Sequence, residues 1–541
     1  MVTLLLALAC APVVEDPGAP PAATMAPLDV LVRTSLDVRG VRPSEEEYAA
    51  LEADPGALDG LVAGYLQDPR FGSRVGDLWA ELYLTRSDSY TVNAAAYDRD
   101  DEHAFVAAVG DEPLRVLGYA ADHDLPWTEI VTGDWTMANE VLGAVWPVEY
   151  PEGSTGWVKS RYTDGRPAAG VLAGNALWWR YTSTDSNANR KRANIVSRLF
   201  LCNDYLTRPL EFDRSVNLLD EAAVADALLN DPGCVNCHHT LDPLASYLFG
   251  FWWFDYYDGV ELRGYHPERE RLWQDYTFVA PAYFGEPGSS LADLGQQIAA
   301  DERFPTCAVE QAWQLLLRRE ATLADTDALV RHRDAFLAGG VTMRALFASI
   351  LSDPAYRAAA DTTGGVPARL VTPAVLASEI EDLTGYRWTV AGGYDALGVD
   401  AAGLEDKGDL LVAEAVGFRT LAGAADGYNV TRSATTPNAT LVLVHERLAE
   451  AAAWYTVHTL PERLFAGLAF TETPETDPGA MISAIQALHW RLYGARVTAE
   501  GDEVTAALEL WADLYAITRD PRAAWAGLLS ALLRDPRLLV Y

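Results

Sequence analysis

Residues 231–243 read DPGCVNCHHTLDP and put Cys234, Cys237 and His238 within five positions, in a chain of 541 residues with only five cysteines. A C-x-x-C-H run is the attachment signature of c-type haem. Two thiols at this spacing each add across a vinyl group of one haem, and the adjoining histidine reaches the iron as its proximal ligand. The same residues leave three other chemistries open. A zinc knuckle needs four ligands; no second C-x-x-C or H-x-x-x-H unit exists, although Cys202, Cys307 or His239 could be recruited. A thioredoxin-type redox pair expects a βαβ setting that the flanks do not show. A disulfide between Cys234 and Cys237 would leave His238 without a role.

The second axial ligand is not evident from the spacing. Residues 239–342 contain no methionine; Met343 lies in a scaffold-like helix and Met137 far upstream. His266, in RGYHPERE, is the sole histidine between 240 and 331. The candidates are therefore His266, a remote methionine, water or nothing. His/Met ligation would raise the potential, and an open position would allow small-ligand binding. The aromatic run FGFWWFDYY (249–257) could wall a dry haem pocket or simply be core.

Covalent haem of this kind requires export. The chain begins MVTLLLALACAPVVEDPGAPPAATMAP: a short apolar run reaches Cys10 after Ala9 and gives way to a Pro/Ala-rich segment. This predicts a lipoprotein signal with the lipid on Cys10, although no Lys or Arg precedes the apolar run. An ordinary secretory signal implies export equally. The longest later apolar run, LASYLFGFWWF, is shorter than the roughly 18 residues that span a bilayer. The expectation is an exported, periplasmic or cell-surface protein that meets the membrane only through lipid at Cys10. With Cys10 and the haem pair assigned, Cys202 and Cys307 remain. In an oxidising compartment they read as one disulfide, two separate buried thiols being the alternative.

Lys plus Arg total 41 against 77 Asp plus Glu, a net charge of −36. That field repels nucleic acid and anionic lipid surfaces and favours a cationic partner.

The elements that must position these residues read mainly α. Apolar residues recur at three- and four-residue spacing, and strand-like alternation is scarce. The length suggests three or four domain-sized units. Three stretches repeat one pattern of helical hairpin: an N-cap at Ser44, Thr322 or Thr498, then an amphipathic helix stopped at Asp68-Pro69, Asp353-Pro354 or Asp535-Pro536. The first two add a capping-box acid, Glu47 and Asp325. Such hairpins must pack on other elements and are read as scaffold.

On these motifs the chain resembles the planctomycete and myxobacterial multidomain cytochrome c-type proteins, a haem-module family built from domains of unknown function. LDVRGVRPSEEEYAALEADPGALDGLVAGYLQDPRFGSRVGDLWAELY resembles their N-terminal cytochrome-associated module. DLPWTEIVTGDWTMANEVLGAVW resembles the segment before the haem module. GVLAGNALWWRYTSTDSNANRKRANIVSRLFLC with DPGCVNCHHTLDPLASYLFGF resembles the haem module itself, and residues 307–356 resemble the helical module after it. Only C-x-x-C-H is chemically specific. The resemblance implies a signal and Pro/Ala-rich linker (1–27), an N-terminal helical module (28–110), a haem module (111–300), a helical module (301–362) and a C-terminal helical module (363–541). The implied fold class is mainly α, with repeated helical hairpins around a single c-type haem module. Leu241-Asp242-Pro243 stands where the family has Met-Asp-Pro, and Arg192-Ala193 where it has Arg-Gly. Arg192, with Arg190 and Lys191, could pair a haem propionate or be a solvated basic helix start.

The expected function is electron transfer through one covalent haem c, with an unidentified redox partner protein. The alternative is a haem-free structural or binding module of a surface complex, with a disulfide or zinc knuckle at Cys234 and Cys237. A peroxidase-like role would need an open distal site and acid–base residues the sequence does not place. No Ser-His-Asp, H-E-x-x-H, P-loop or G-x-G-x-x-G pattern stands out.

Overall fold

The computed structural model describes residues 23–87, 89–208, 217, 219–359, 369–389, 410–411 and 418–541. Cys10 and most of the 1–27 segment lie outside the described residues. The fold is mainly α, as expected. The described strands form two short antiparallel pairs, β1 (Thr136–Ala138) with β2 (Val158–Ser160) and β3 (Ala282–Tyr283) with β4 (Glu286–Pro287).

In chain order the principal helices are α1 (Pro27–Arg39), α2 (Glu45–Ala53), α3 (Leu58–Tyr65), α4 (Phe71–Tyr83) and α5 (Glu102–Asp122). Next come α6 (Asn175–Arg180), α7 (Arg190–Leu201), α8 (Glu221–Asn230) and α9 (Pro232–Ala245). Then follow α10 (Leu291–Ala300), α11 (Arg303–Leu317), α12 (Thr326–Ala338) and α13 (Met343–Leu351). The last part holds α14 (Pro373–Thr384), α15 (Ala439–Thr459), α16 (Pro478–Tyr493), α17 (Asp502–Thr518) and α18 (Pro521–Leu533).

Local chemistry sets the helix ends. Ser44 Oγ accepts the Glu47 N–H while Glu47 accepts the Ser44 N–H, a complete capping box at the start of α2. Asp325 accepts the Thr322 N–H at 2.8 Å in the turn that leads into α12. The third expected cap differs. Gly501 caps α17 and Thr498 does not, because a turn that closes Gly501 N–H onto the Thr498 carbonyl intervenes.

The Asp-Pro pairs do more than stop helices. Helices α3, α13 and α18 end at Tyr65, Leu351 and Leu533. Asp68, Asp353 and Asp535 then accept the N–H two residues on, from Arg70, Ala355 and Arg537, at 2.8 to 2.9 Å. An Asp in extended backbone satisfies a free N–H while proline supplies a ready helical φ, so the dipeptide starts the next turn. Asp231-Pro232 starts α9 in the same way.

Helices α4 and α5 cross closely at glycines. A Cβ on Gly118 would lie 2.6 Å from the Gly72 carbonyl oxygen, so no larger residue fits the crossing. Arg33 and Asp37 of α1 anchor a buried polar knot. Asp37 accepts from the Tyr356 hydroxyl (2.8 Å), Arg369 (3.0 Å) and the Tyr541 hydroxyl (2.7 Å), and Arg33 donates to the carbonyls of Tyr356 and Ala358. Backbone pairing of Leu370 with Val540 closes it. The knot thus joins the 28–110, 301–362 and 363–541 segments, and one contiguous apolar cluster runs from Leu31 to Leu539. Among the described residues no helix is long and apolar enough to cross a membrane.

Candidate functional site

Helix α9 carries the C-x-x-C-H run. Asp231 caps it by accepting the N–H groups of Gly233 (2.9 Å) and Cys234 (3.2 Å), with Pro232 in the first turn. Losing such a cap costs about 1 kcal/mol. Because the run is helical, Cys234, Cys237 and His238 fall at i, i+3 and i+4 and share one face. The helix packs on α7, on β3 and on the helical turn Ser246–Phe251. Cys237 is buried and Cys234 half-buried, and neither is in a disulfide.

His238 is held from behind. Its Nδ1 lies 2.8 Å from Asp242 Oδ1, one helical turn on. Asp242 also accepts a two-pronged contact from Arg190, Nε at 2.7 Å and Nη2 at 2.9 Å. Burial alone would raise the Asp242 carboxyl, but the bonds from Arg190 and His238 outweigh it and hold it below the ordinary aspartate range. In a neutral imidazole, a carboxylate facing Nδ1 selects the Nδ1–H tautomer and leaves the lone pair on Nε2. Nε2 has no protein partner among the described residues. This carboxylate–histidine arrangement is the one that orients and enriches a metal-ligating imidazole. His239 instead bonds the Val235 carbonyl and is exposed.

Cys234 is not set up as a redox nucleophile. Burial, then the nearby Asp231 carboxylate and Cys237, push the Cys234 thiol up, whereas a reactive C-x-x-C pair needs a lowered one. Among the described residues no group of three His, Cys, Asp or Glu is arranged to hold a metal ion.

Arg192 does not contact Asp242. It is buried, donating to the carbonyls of Tyr181 (3.0 Å) and Phe251 (2.8 Å) and to Asn189 Oδ1 (3.0 Å), 4.8 Å over the Trp253 ring. Burial lowers its guanidinium to about 10, so it stays charged at neutral pH. Its Nη2 and the neighbouring Asn189 Nδ2 are buried donors without an acceptor. Unfilled buried donors beside a cation are what an anionic group such as a propionate would satisfy. On this test His238, braced at Nδ1 by Asp242, fits a haem-iron ligand, whereas the unfilled donors at Arg192 lie in a fully buried side chain that a propionate would have to reach.

His266 is braced within its own loop. Its Nε2 is 3.1 Å from the Glu261 carbonyl oxygen and its Nδ1 3.4 Å from Glu268, while its N–H donates to Gly250. Met137 is buried on β1 and Met343 on α13. Of the aromatic run, Phe249, Phe251, Trp252 and Trp253 are buried core, and Phe254 and Tyr257 are exposed. Cys202, at the end of α7, and Cys307, on α11, are joined by a disulfide with Cα atoms 5.2 Å apart.

Asp242 and Arg190 are candidate site residues that the motif alone does not assign. The signal was the acid four residues after His238, the spacing of one helical turn. No protein family, no curated protein and no solved structure matches the chain.

Proposed function

We propose that the protein is an exported mono-haem c-type cytochrome that carries single electrons, in the manner of the multidomain cytochrome-type family its sequence resembles. One observation carries the reading: on the shared face of α9, two unpaired thiols stand beside a histidine whose Nδ1 is held by Asp242 and whose Nε2 is unpartnered. Cys234 and Cys237 would hold the haem through thioethers, each sulfur bonding one vinyl carbon and each thiol hydrogen passing to the other. His238 Nε2 would be the proximal ligand and Arg192 would face a propionate. Bound haem supplies a one-electron iron couple. The chain's own part is to orient: Arg190 holds Asp242, and Asp242 holds the imidazole plane and tautomer.

For a second iron ligand the candidates are His266, a remote methionine, water or nothing, and His266 would have to release the Glu261 carbonyl to serve. The disulfide and the Cys10 lipid site belong with an oxidising compartment. The redox partner is a protein tolerant of strong negative charge.

The test is expression with export in a host that matures c-type cytochromes. The expected result is a pyridine haemochrome and a haem-sized mass gain, both lost in Cys237→Ser. Low-spin ferric iron turning high-spin in His266→Ala would place His266 in the ligand set; an unchanged spectrum would remove it. Membrane-fraction recovery should fall in Cys10→Ser. A colourless, fully exported protein would sink the haem reading and leave a structural or binding module.

A further inference from the structure

A cleft between α4, α7, the end of α11 and the loop 431–435 lies outside the haem reading. It encloses about 490 Å³ and is lined by Arg198, Arg318, Arg319 and Arg432 against two carboxylates, Glu81 and Glu320. In a chain of net charge −36, four guanidiniums around one cleft run against the composition. Three are answered by carboxylates. Arg318 meets Glu81 at 2.6 Å, Arg319 meets Asp325 at 2.6 and 2.7 Å, and Arg432 meets Glu320 at 3.8 Å. Arg198 has no carboxylate partner among the described residues. Its Nη2 reaches only the Tyr181 hydroxyl (3.1 Å) and the Leu82 carbonyl (3.4 Å), and its Nε is buried without an acceptor.

We propose that this cleft binds a small organic oxyanion, whose carboxylate or phosphoryl group is taken by Arg198. The guanidinium offers a planar fork of donors that matches either group, and partial burial strengthens the attraction. The cleft has the volume of a small-molecule site and exceeds what a lone ion needs. Exposed Arg432 and the hydroxyls of Thr431 and Ser433 stand on the same loop at its mouth and would contact the remainder of the ligand. The site is independent of haem attachment.

The test is calorimetric titration of the full-length protein at low ionic strength with citrate, succinate and inorganic phosphate, and with glycerol as a neutral control. At least one anion should bind saturably, more weakly as salt is added, and glycerol should not bind. Phosphate alone would assign a phosphoryl group and the carboxylates alone a carboxylate; either supports the site. Arg198→Gln should weaken binding by about tenfold or more, and Arg432→Ala, on the exposed rim, by a few-fold with unfolding unchanged. If Arg198→Gln does not fold, Arg432→Ala and Ser433→Ala carry the test. Absence of saturable binding by all three anions, or wild-type affinity in every folded variant, would overturn the proposal.

Discussion

Replacing Asp242 by Asn keeps the side chain's size but removes the charge between Arg190 and His238. Three bonds converge on this carboxylate, two from Arg190 at 2.7 and 2.9 Å and one from His238 at 2.8 Å. The side chains are 17, 10 and 23% exposed for Arg190, Asp242 and His238, so solvent screens part of the interaction. Charge-assisted bonds contribute about 1.5–3 kcal/mol each when dry and far less when exposed. With screening, and with one bond able to survive to the amide, the expected loss is about 1–3 kcal/mol at neutral pH. The pH dependence gives the sharper check. Asp242 is held below its ordinary range when folded, so the unfolded chain binds its proton first on acidification. Its stabilisation is full above the unfolded pKa and is lost as pH falls through the folded one. The gap between wild type and Asp242→Asn in urea unfolding should therefore be constant near neutrality and close from about pH 5 downward. Equal stability at neutral pH, or a gap that persists undiminished at pH 2, would refute the reasoning. In haem-loaded protein the same variant should raise the potential, since the imidazole loses its anionic partner.

The disulfide closes a loop of 105 residues, so the chain-entropy relation puts its contribution near 4.7 kcal/mol. The Cys202→Ala/Cys307→Ala variant should be destabilised by several kcal/mol, and native alkylation with mass spectrometry should find neither thiol free. Burial lowers His445 to about 4, and its Nε2 has no partner. The unfolded chain then binds the proton first between about pH 6.5 and 4, and up to about 3 kcal/mol is lost as pH falls through that window; His445→Gln should flatten this arm of the stability profile. Gly118→Ala pushes a methyl onto the Gly72 carbonyl at the α4–α5 crossing, and a loss of about 3 kcal/mol or more by denaturant unfolding is expected.

Some of this protein is set by chemistry local to a few residues, and that part was legible in the sequence. Helical periodicity, the Ser44–Glu47 box and the Asp-Pro pairs depend only on neighbours along the chain, so the mainly α class and two of the three expected caps could be read directly. Thr498 failed because residues 498–501 form a turn of their own before α17 begins, and a spacing rule cannot see which of two local hydrogen-bond patterns wins. The C-x-x-C-H run is likewise local: three residues at i, i+3 and i+4 share a helix face wherever that helix packs. Cysteine parity suggested Cys202 with Cys307, but 105 residues separate them, and only the packing of α7 on α11 brings the pair together. The same holds for Arg190, 52 residues before Asp242, and for the arginines of the cleft. Arg190 and Arg192 lie two residues apart, yet one grips an acid on α9 and the other is buried among carbonyls and tryptophans. Residues two apart on a helix point to different sides, and what awaits each side is decided by distant chain.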